Sequence, residues 1–188
     1  ADAPVIHRSF IANLFERLRG GDIYQRWTRE GTHFGNFAAR KFGQAGLGPE
    51  DSVIGYTAAN LEQLTLAKKR GAKALHIQVD PGISWYEMRR QEQLAHPEAE
   101  DLSPMPGAEF LERMGQEWVQ ADKVIVHSEH SRVALLAQGV DAGRCVVVPP
   151  AFKSATTQTA RQLDSSRPFR VLFVGNHCLA KGYHVFVD

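Results

Sequence analysis

The sequence predicts an α/β fold built on a parallel sheet. From Asp51 onward, short β-branched apolar runs alternate with amphipathic segments, the rhythm of βαβ units. The runs are apolar at consecutive positions, as at 146–148 and 171–174, which suits strands covered on both faces. Several of the intervening segments close on glycine, Gly71 and Gly139 among them, as helix ends do.

Residues 1–50 give fewer signals. Apolar residues at helical spacing (Phe10, Ile11, Leu14, Phe15, Leu18) predict a helix that Gly20-Gly21 ends. A second helix is expected over 33–42, carrying Phe34, Phe37 and Phe42, followed by a loop at 46–49. The regular part then reads strand 52–57, helix 61–70, strand 73–79 and helix 85–94. Asn60 is the expected N-cap of the 61–70 helix, with Gln63 in capping-box position. The stretch 96–106 holds three prolines and several acids and predicts an exposed loop. Beyond it come an amphipathic helix over 108–121, a strand over 123–127, a helix over 131–138 capped by Ser128, and a strand over 144–148. The polar segment 151–168 reads as a linker. Residues 169–188 then predict a new strand, a glycine turn and the opening of a helix. The expected organisation is therefore an N-terminal Rossmann-like domain over 1–150, a linker, and the first strand–turn–helix of a second such domain over 169–188.

Bulk properties narrow the function classes. With 43% hydrophobic and 23% charged residues, the chain has the composition of an ordinary globular protein. A net charge of +1 gives no electrostatic footprint for nucleic acid. No apolar run approaches the roughly 20 residues a membrane-spanning helix needs. Residues 1–8 lack a basic stretch followed by an apolar one, so no signal peptide is expected. The missing initiator Met suggests a natural start further upstream. Cys145 and Cys178 read as reduced thiols of a cytoplasmic protein.

Familiar chemical motifs are largely missing. The glycines at 43–48 have the wrong order for a dinucleotide fingerprint, and no phosphate-loop or nucleophile-elbow sequence occurs. His127 and His130 are three apart but lack supporting carboxylates, so no metal is expected. The acids Glu98, Glu100 and Asp101 read as solvated.

Two stretches do carry a signal. The first is Ala-Asp-Lys-Val-Ile-Val-His-Ser-Glu-His-Ser-Arg from Ala121, followed by Gly139-Val-Asp and Val-Val-Val-Pro-Pro from Val146. The second is Arg-Val-Leu-Phe-Val-Gly from Arg170, with Lys181-Gly182 six residues later. In this order, with a polar linker between, residues 51–188 resemble the retaining GT-B glycosyltransferases of family 4, the group 1 glycosyl transferases. The resemblance implies transfer of a sugar from a nucleoside-diphosphate donor to a glycan or glycolipid acceptor in cell-surface polysaccharide synthesis, without a metal or other cofactor. It implies donor binding by Gly175, Asn176, Lys181 and Gly182. Lys181 would be the catalytic cation that meets charge growing on the departing diphosphate. Asn176 stands where many relatives have Arg or Ser, so the cationic role falls to Lys181 alone.

On the acceptor side the resemblance points to Tyr56, Asp80 and Ser128, and Trp85, Tyr86, Met88 and Arg90 are candidates for an acceptor groove. The family's acidic donor-site element would lie beyond Asp188, so the 188 residues alone are expected to be inactive. Peripheral contact with the inner face of a membrane is compatible with the resemblance, and nothing in it fixes an oligomeric state. Two other readings stay open: a non-catalytic Rossmann-like binding module, and another GT-B enzyme such as a sugar-nucleotide epimerase.

Overall fold

The computed structural model describes residues 20–99, 104–151, 168, 170–175 and 178–187. The chain divides into two compact units. The first comprises Ala1–Met88 and Pro104–Pro149, the second Arg89–Ser103 and Pro150–Asp188. The element order is α1 (Ile23–Gln44), β1 (Ser52–Tyr56), α2 (Leu61–Arg70), β2 (Lys73–Gln78), α3 (Ile83–Ala95), α4 (Ala108–Gln120), β3 (Lys123–Val126), α5 (Glu129–Ala137) and β4 (Cys145–Val147). A 3-10 turn at Leu179–Lys181 and a short α6 (Tyr183–Val187) follow in the second unit.

The first unit is a Rossmann-like α/β layer structure. Its four strands run parallel in the order β1-β2-β3-β4, with Val53 opposite Ala74, His76 opposite Val124 and Val124 opposite Cys145. Alternation along the strands sends Val53, Ala74, Val124, Val126 and Cys145 to one face, where Leu64, Met114, Trp118 and Leu135 complete a buried core. The other face differs from expectation. Ile54, Tyr56, Val146 and Val148 are exposed there, so among the described residues the sheet is closed on one side only.

The predicted elements from 52 to 148 form, with ends shifted by a residue or two. Gly71 adopts φ 74° and closes α2, and Ser128 Oγ accepts from Ser131 N at 3.1 Å to cap α5. Asn60 stands at the start of α2, but its side chain makes no cap bond. It turns instead into the buried network described below.

Helix α1 is longer than the predicted 33–42 segment. It starts at Asp22, whose carboxylate accepts from the amides of Tyr24 and Gln25 while Gln25 Oε1 accepts from Asp22 N, a complete capping box. Two glycines inside it mark close approaches. A Cβ on Gly31 would lie 1.7 Å from Ala58 O, and one on Gly35 would lie 1.9 Å from Glu62 Oε2. Tyr24 then meets Trp27, Tyr86 and Phe110 edge-on at 5.1–5.7 Å between ring centroids, which seats α1 on α3 and α4. Each such pair contributes about 0.5–1.5 kcal/mol beyond its buried area.

Two expectations for the second unit and the N-terminus need comment. Residues 170–174 carry no strand pairing. Strands are held by a neighbour's ladder, and no described residue offers one to this segment, so Val171, Leu172 and Val174 stay 62–85% exposed. The helix predicted within 10–18 lies outside the described residues.

Gly31→Ala should lower the urea-unfolding midpoint. Helix propensity would gain about 1 kcal/mol, but the methyl must displace the Ala58 carbonyl, and such overpacking costs about 1–3 kcal/mol. Gly115→Ala in α4, where a Cβ meets nothing within 4 Å, should raise the midpoint. An unchanged or raised midpoint for Gly31→Ala would contradict the close approach.

Candidate functional site

The loops that leave the carboxyl ends of β1 and β2 bound a cavity of about 430 Å³ in the first unit. Thr57, Ala58 and Ala59 come from the β1–α2 loop, and Val79 and Asp80 from the end of β2. Helix α1 supplies Trp27, Glu30, Gly31 and Phe34 at helical spacing, and Tyr86 and Phe110 close the base. Open α/β sheets bind ligands at this end, where loops diverge and side chains converge. The wall is aromatic, with Trp27 and Phe34 each 42% exposed, and its charged groups are the two carboxylates Glu30 and Asp80.

The β1–α2 loop is fixed from below. Ala58 is the one non-glycine with positive φ (68°) among the described residues. Left-handed backbone costs a side-chain-bearing residue roughly 1–2 kcal/mol, so something must hold it. Glu117 on α4, fully buried, does so: Oε2 accepts from Ala58 N at 2.8 Å and Oε1 from Asn60 N at 3.2 Å. One turn earlier, Arg113 Nε donates to Ala58 O at 3.1 Å. The Arg113 guanidinium also grips Glu62 with two bonds of 2.8 and 2.7 Å.

A second polar chain runs along β2 to the cavity. Trp118 Nε1 and Thr57 Oγ1 donate to Gln78 Oε1, at 2.8 and 3.1 Å. His76 Nε2 lies 3.1 Å from the same oxygen, and Nδ1 lies 3.2 Å from Asn60 Oδ1. Gln78 Nε2 donates to Asp80 Oδ1 at 2.6 Å, and Gly82 N donates to it at 2.9 Å. Among the described residues, Asp80 Oδ2 has only the long 3.5 Å contact from Tyr86 OH, which leaves it acceptor capacity at the cavity.

Burial dominates the electrostatics. It pushes the Glu117 carboxyl up to about 7, against the pull of the Ala58 and Asn60 amides and of Arg113. It pushes His76 down to about 4, partly offset by the Gln78 bond. The imidazole is thus neutral near pH 7. With Nε2–H donating to Gln78, Nδ1 is an acceptor, and a half-turn of the Asn60 amide that puts Nδ2 in the place of Oδ1 pairs it with a group otherwise buried without a partner.

The sequence-predicted residues fall at different places. Asp80 lines the cavity. Tyr56 ends β1 on the open sheet face, is 59% exposed and does not line it. Ser128 caps α5, away from the lining. Of the four groove candidates only Tyr86 lines the cavity, while Met88 is exposed. In the second unit, Lys181 ends the 3-10 turn with its side chain exposed, and Gly182 follows at φ 70°. A Cβ on Gly175 would lie 3.7 Å from Lys181 Cβ, so those two positions are neighbours. Asn176 lies outside the described residues. His127 Nδ1 is 3.1 Å from Val148 O.

Sequence reasoning missed Trp27, Glu30, Phe34, Glu117 and the His76–Gln78 chain. The first three share one helix face and become readable once Asp22 and Gln25 are recognised as a capping box. Comparison with protein-family models, curated proteins and solved structures finds no match to this chain.

The buried pair predicts a distinctive pH behaviour. Unfolded, Glu117 titrates near 4.5 and His76 near 6.5. Between these values the unfolded pair holds one proton, on His76, and the folded pair also holds one, on Glu117. The pair therefore adds no slope to stability there. Substitution of either partner exposes the other. In Glu117→Gln, stability should be lost as pH falls from about 6.5 toward 4, because the folded His76 refuses its proton. In His76→Gln, stability should fall as pH rises from about 4.5 to 7, because the folded Glu117 retains its proton. Urea midpoints across this range should slope in opposite directions in the two variants. Slopes of the same sign would contradict the pairing.

Proposed function

We propose that this chain carries the acceptor-side domain, and the lysine-bearing donor loop, of a retaining glycosyltransferase that uses a nucleoside-diphosphate sugar. The observation that supports this most is the cavity at the carboxyl ends of β1 and β2, with aromatic walls and two carboxylates. A sugar ring is amphipathic: its C–H faces pack on aromatic rings, while its edge hydroxyls seek hydrogen-bond acceptors. Trp27 and Phe34 offer such faces, and Asp80 Oδ2 has free acceptor capacity. The Gln78 and Gly82 donors hold the Asp80 carboxylate in one orientation, so an acceptor hydroxyl would be bound without reorganising the site.

On the donor side, cleavage of the bond between the sugar and its diphosphate builds negative charge on the departing oxygens. A lysine following a glycine turn supplies a mobile cation for that charge. Lys181, adjacent to Gly175 and exposed, has that role in this reading. The acceptor is a glycan or glycolipid, whose hydroxyl oxygen bonds to the sugar carbon on the face the diphosphate leaves while its proton passes to the departing phosphate oxygen.

A second reading, a non-catalytic glycan-binding module, is favoured by one observation. The cavity is lined wholly by residues of the first unit, so it can take a glycan without any donor-side residue.

Two binding measurements test the proposal. The chain, presented to an array of oligosaccharides, should retain a subset, and Trp27→Ala and Asp80→Asn should each reduce retention about tenfold or more, the loss of a hydrogen bond to a charged group being about 1.5–3 kcal/mol. Calorimetry with nucleoside diphosphates should show binding that Lys181→Ala weakens by a similar factor. Glycan retention without diphosphate binding would favour the non-catalytic module. Absence of both, or glycan retention indifferent to Asp80→Asn, would contradict the acceptor site.

A further inference from the structure

A cluster in the second unit has a chemistry that neither the cavity nor the donor loop uses. Glu92 lies in the last turn of α3 and His96 one residue past its end, where His96 N still donates to Glu92 O at 2.9 Å and keeps the two side chains on one side. His184 on α6, 92 positions from Glu92 in the chain, joins them. His184 Nε2 lies 3.0 Å from Glu92 Oε1, and His96 Nε2 lies 3.8 Å from the same oxygen. The two imidazole rings sit 4.6 Å apart. All three ligand atoms fall within 4.8 Å of one another.

We propose that Glu92, His96 and His184 form a binding site for a divalent transition-metal ion of the zinc type. The spacing fits: bonds of about 2.0–2.2 Å in tetrahedral array place ligand atoms roughly 3.3 Å apart. The donor set fits as well, since imidazole and carboxylate together select zinc, copper, nickel or iron over magnesium and calcium. The nitrogens of His96 are disposed correctly. Glu98 Oε1 lies 3.3 Å from His96 Nδ1, and a hydrogen bond there leaves Nε2 as the ligating nitrogen, an arrangement typical of metal-binding histidines.

His184 is buried, 8% exposed, with Nε2 directed at Glu92 and its ring beside that of His96, so a ligand nitrogen stands in place within the fold. The two rings are tilted by 48° to one another. The ion would clip the end of α3 to α6 and keep a fourth position for water. The inference does not rest on the transferase reading, because none of its residues lines the cavity or the glycine–lysine loop.

The test is titration of the metal-free chain with Zn²⁺ by calorimetry, and with Co²⁺ by visible absorption. One ion per chain should bind, with the intense absorption of tetrahedral Co²⁺, and chelator should reverse it. His184→Ala and Glu92→Gln should each weaken Zn²⁺ binding by more than tenfold, since loss of even an outer partner costs about 10- to 100-fold. His130→Ala, at an exposed position of α5, should leave it unchanged. Circular dichroism of the variants checks that they fold, and Zn²⁺-dependent shifts of the His96 and His184 ring resonances locate the ion independently. Absence of stoichiometric Zn²⁺ binding, binding indifferent to His184→Ala, or ring shifts confined to other histidines would overturn the site. Glycan retention at the cavity should not respond to Zn²⁺, so failure of one proposal leaves the other standing.

Discussion

The first unit depends on one constraint: a left-handed alanine at the end of β1, held by a buried carboxylate. Ala58 turns the chain sharply toward α2, and its carbonyl pushes to within contact of α1. The turn is costly for a residue with a Cβ. Glu117 binds the amides on either side of Ala59, Arg113 binds the carbonyl, and Glu62 anchors Arg113. The helix that covers this loop can approach only because Gly31 and Gly35 present no side chain there. The cavity wall, the seat of α1 and the start of α2 thus share one set of polar bonds.

That set is placed where burial is deepest, which explains its electrostatics. Glu117 and His76 are both fully buried, and solvent exclusion works against the charge of each. The result is a carboxyl near 7 and an imidazole near 4, the reverse of their solution order. Isolated buried charges are strongly destabilising, so the network is tolerated only because nearly every lone pair is used. From His76 the bonds pass through Gln78 to Asp80, linking the fixed loop to the one carboxylate that is both oriented and available at the cavity. A preorganised acceptor of this kind binds a hydroxyl with little reorganisation.

Much of the architecture was legible in the sequence. The alternation of β-branched runs with amphipathic segments located all four strands and helices α2 to α5, and Gly71 and Ser128 marked their ends for the expected reasons. The rest was hidden by context. Asn60 has the chemistry of a cap and the position of one, but tertiary contacts take its side chain to His76. Asp22 and Gln25 do form a capping box, yet the glycines inside α1 hid the helix they begin. Strand patterns signalled burial on two faces, while Ile54 and Val146 remain open. Asp80 was readable as a strand-end acid. Glu117 was not, because a glutamate on an amphipathic helix is ordinarily solvated and only the fold turns this one inward. Residues 170–174 read as a strand, but periodicity cannot say whether a neighbour is present to pair with them.

The functional reading combines two kinds of support. Motif order and the glycine–lysine loop suggest the donor chemistry, and the aromatic, carboxylate-edged cavity suggests the acceptor. The acceptor site depends on the loop after β1 being rigid before any ligand arrives. Amide hydrogen exchange of the free chain measures this directly. The Ala58 and Asn60 amides should exchange as slowly as the amides of α4, because their acceptor is a buried carboxylate on that helix. Rapid exchange at Ala58 and Asn60 while α4 stays protected would show that Glu117 does not hold the loop, and the preformed acceptor site would have to be abandoned.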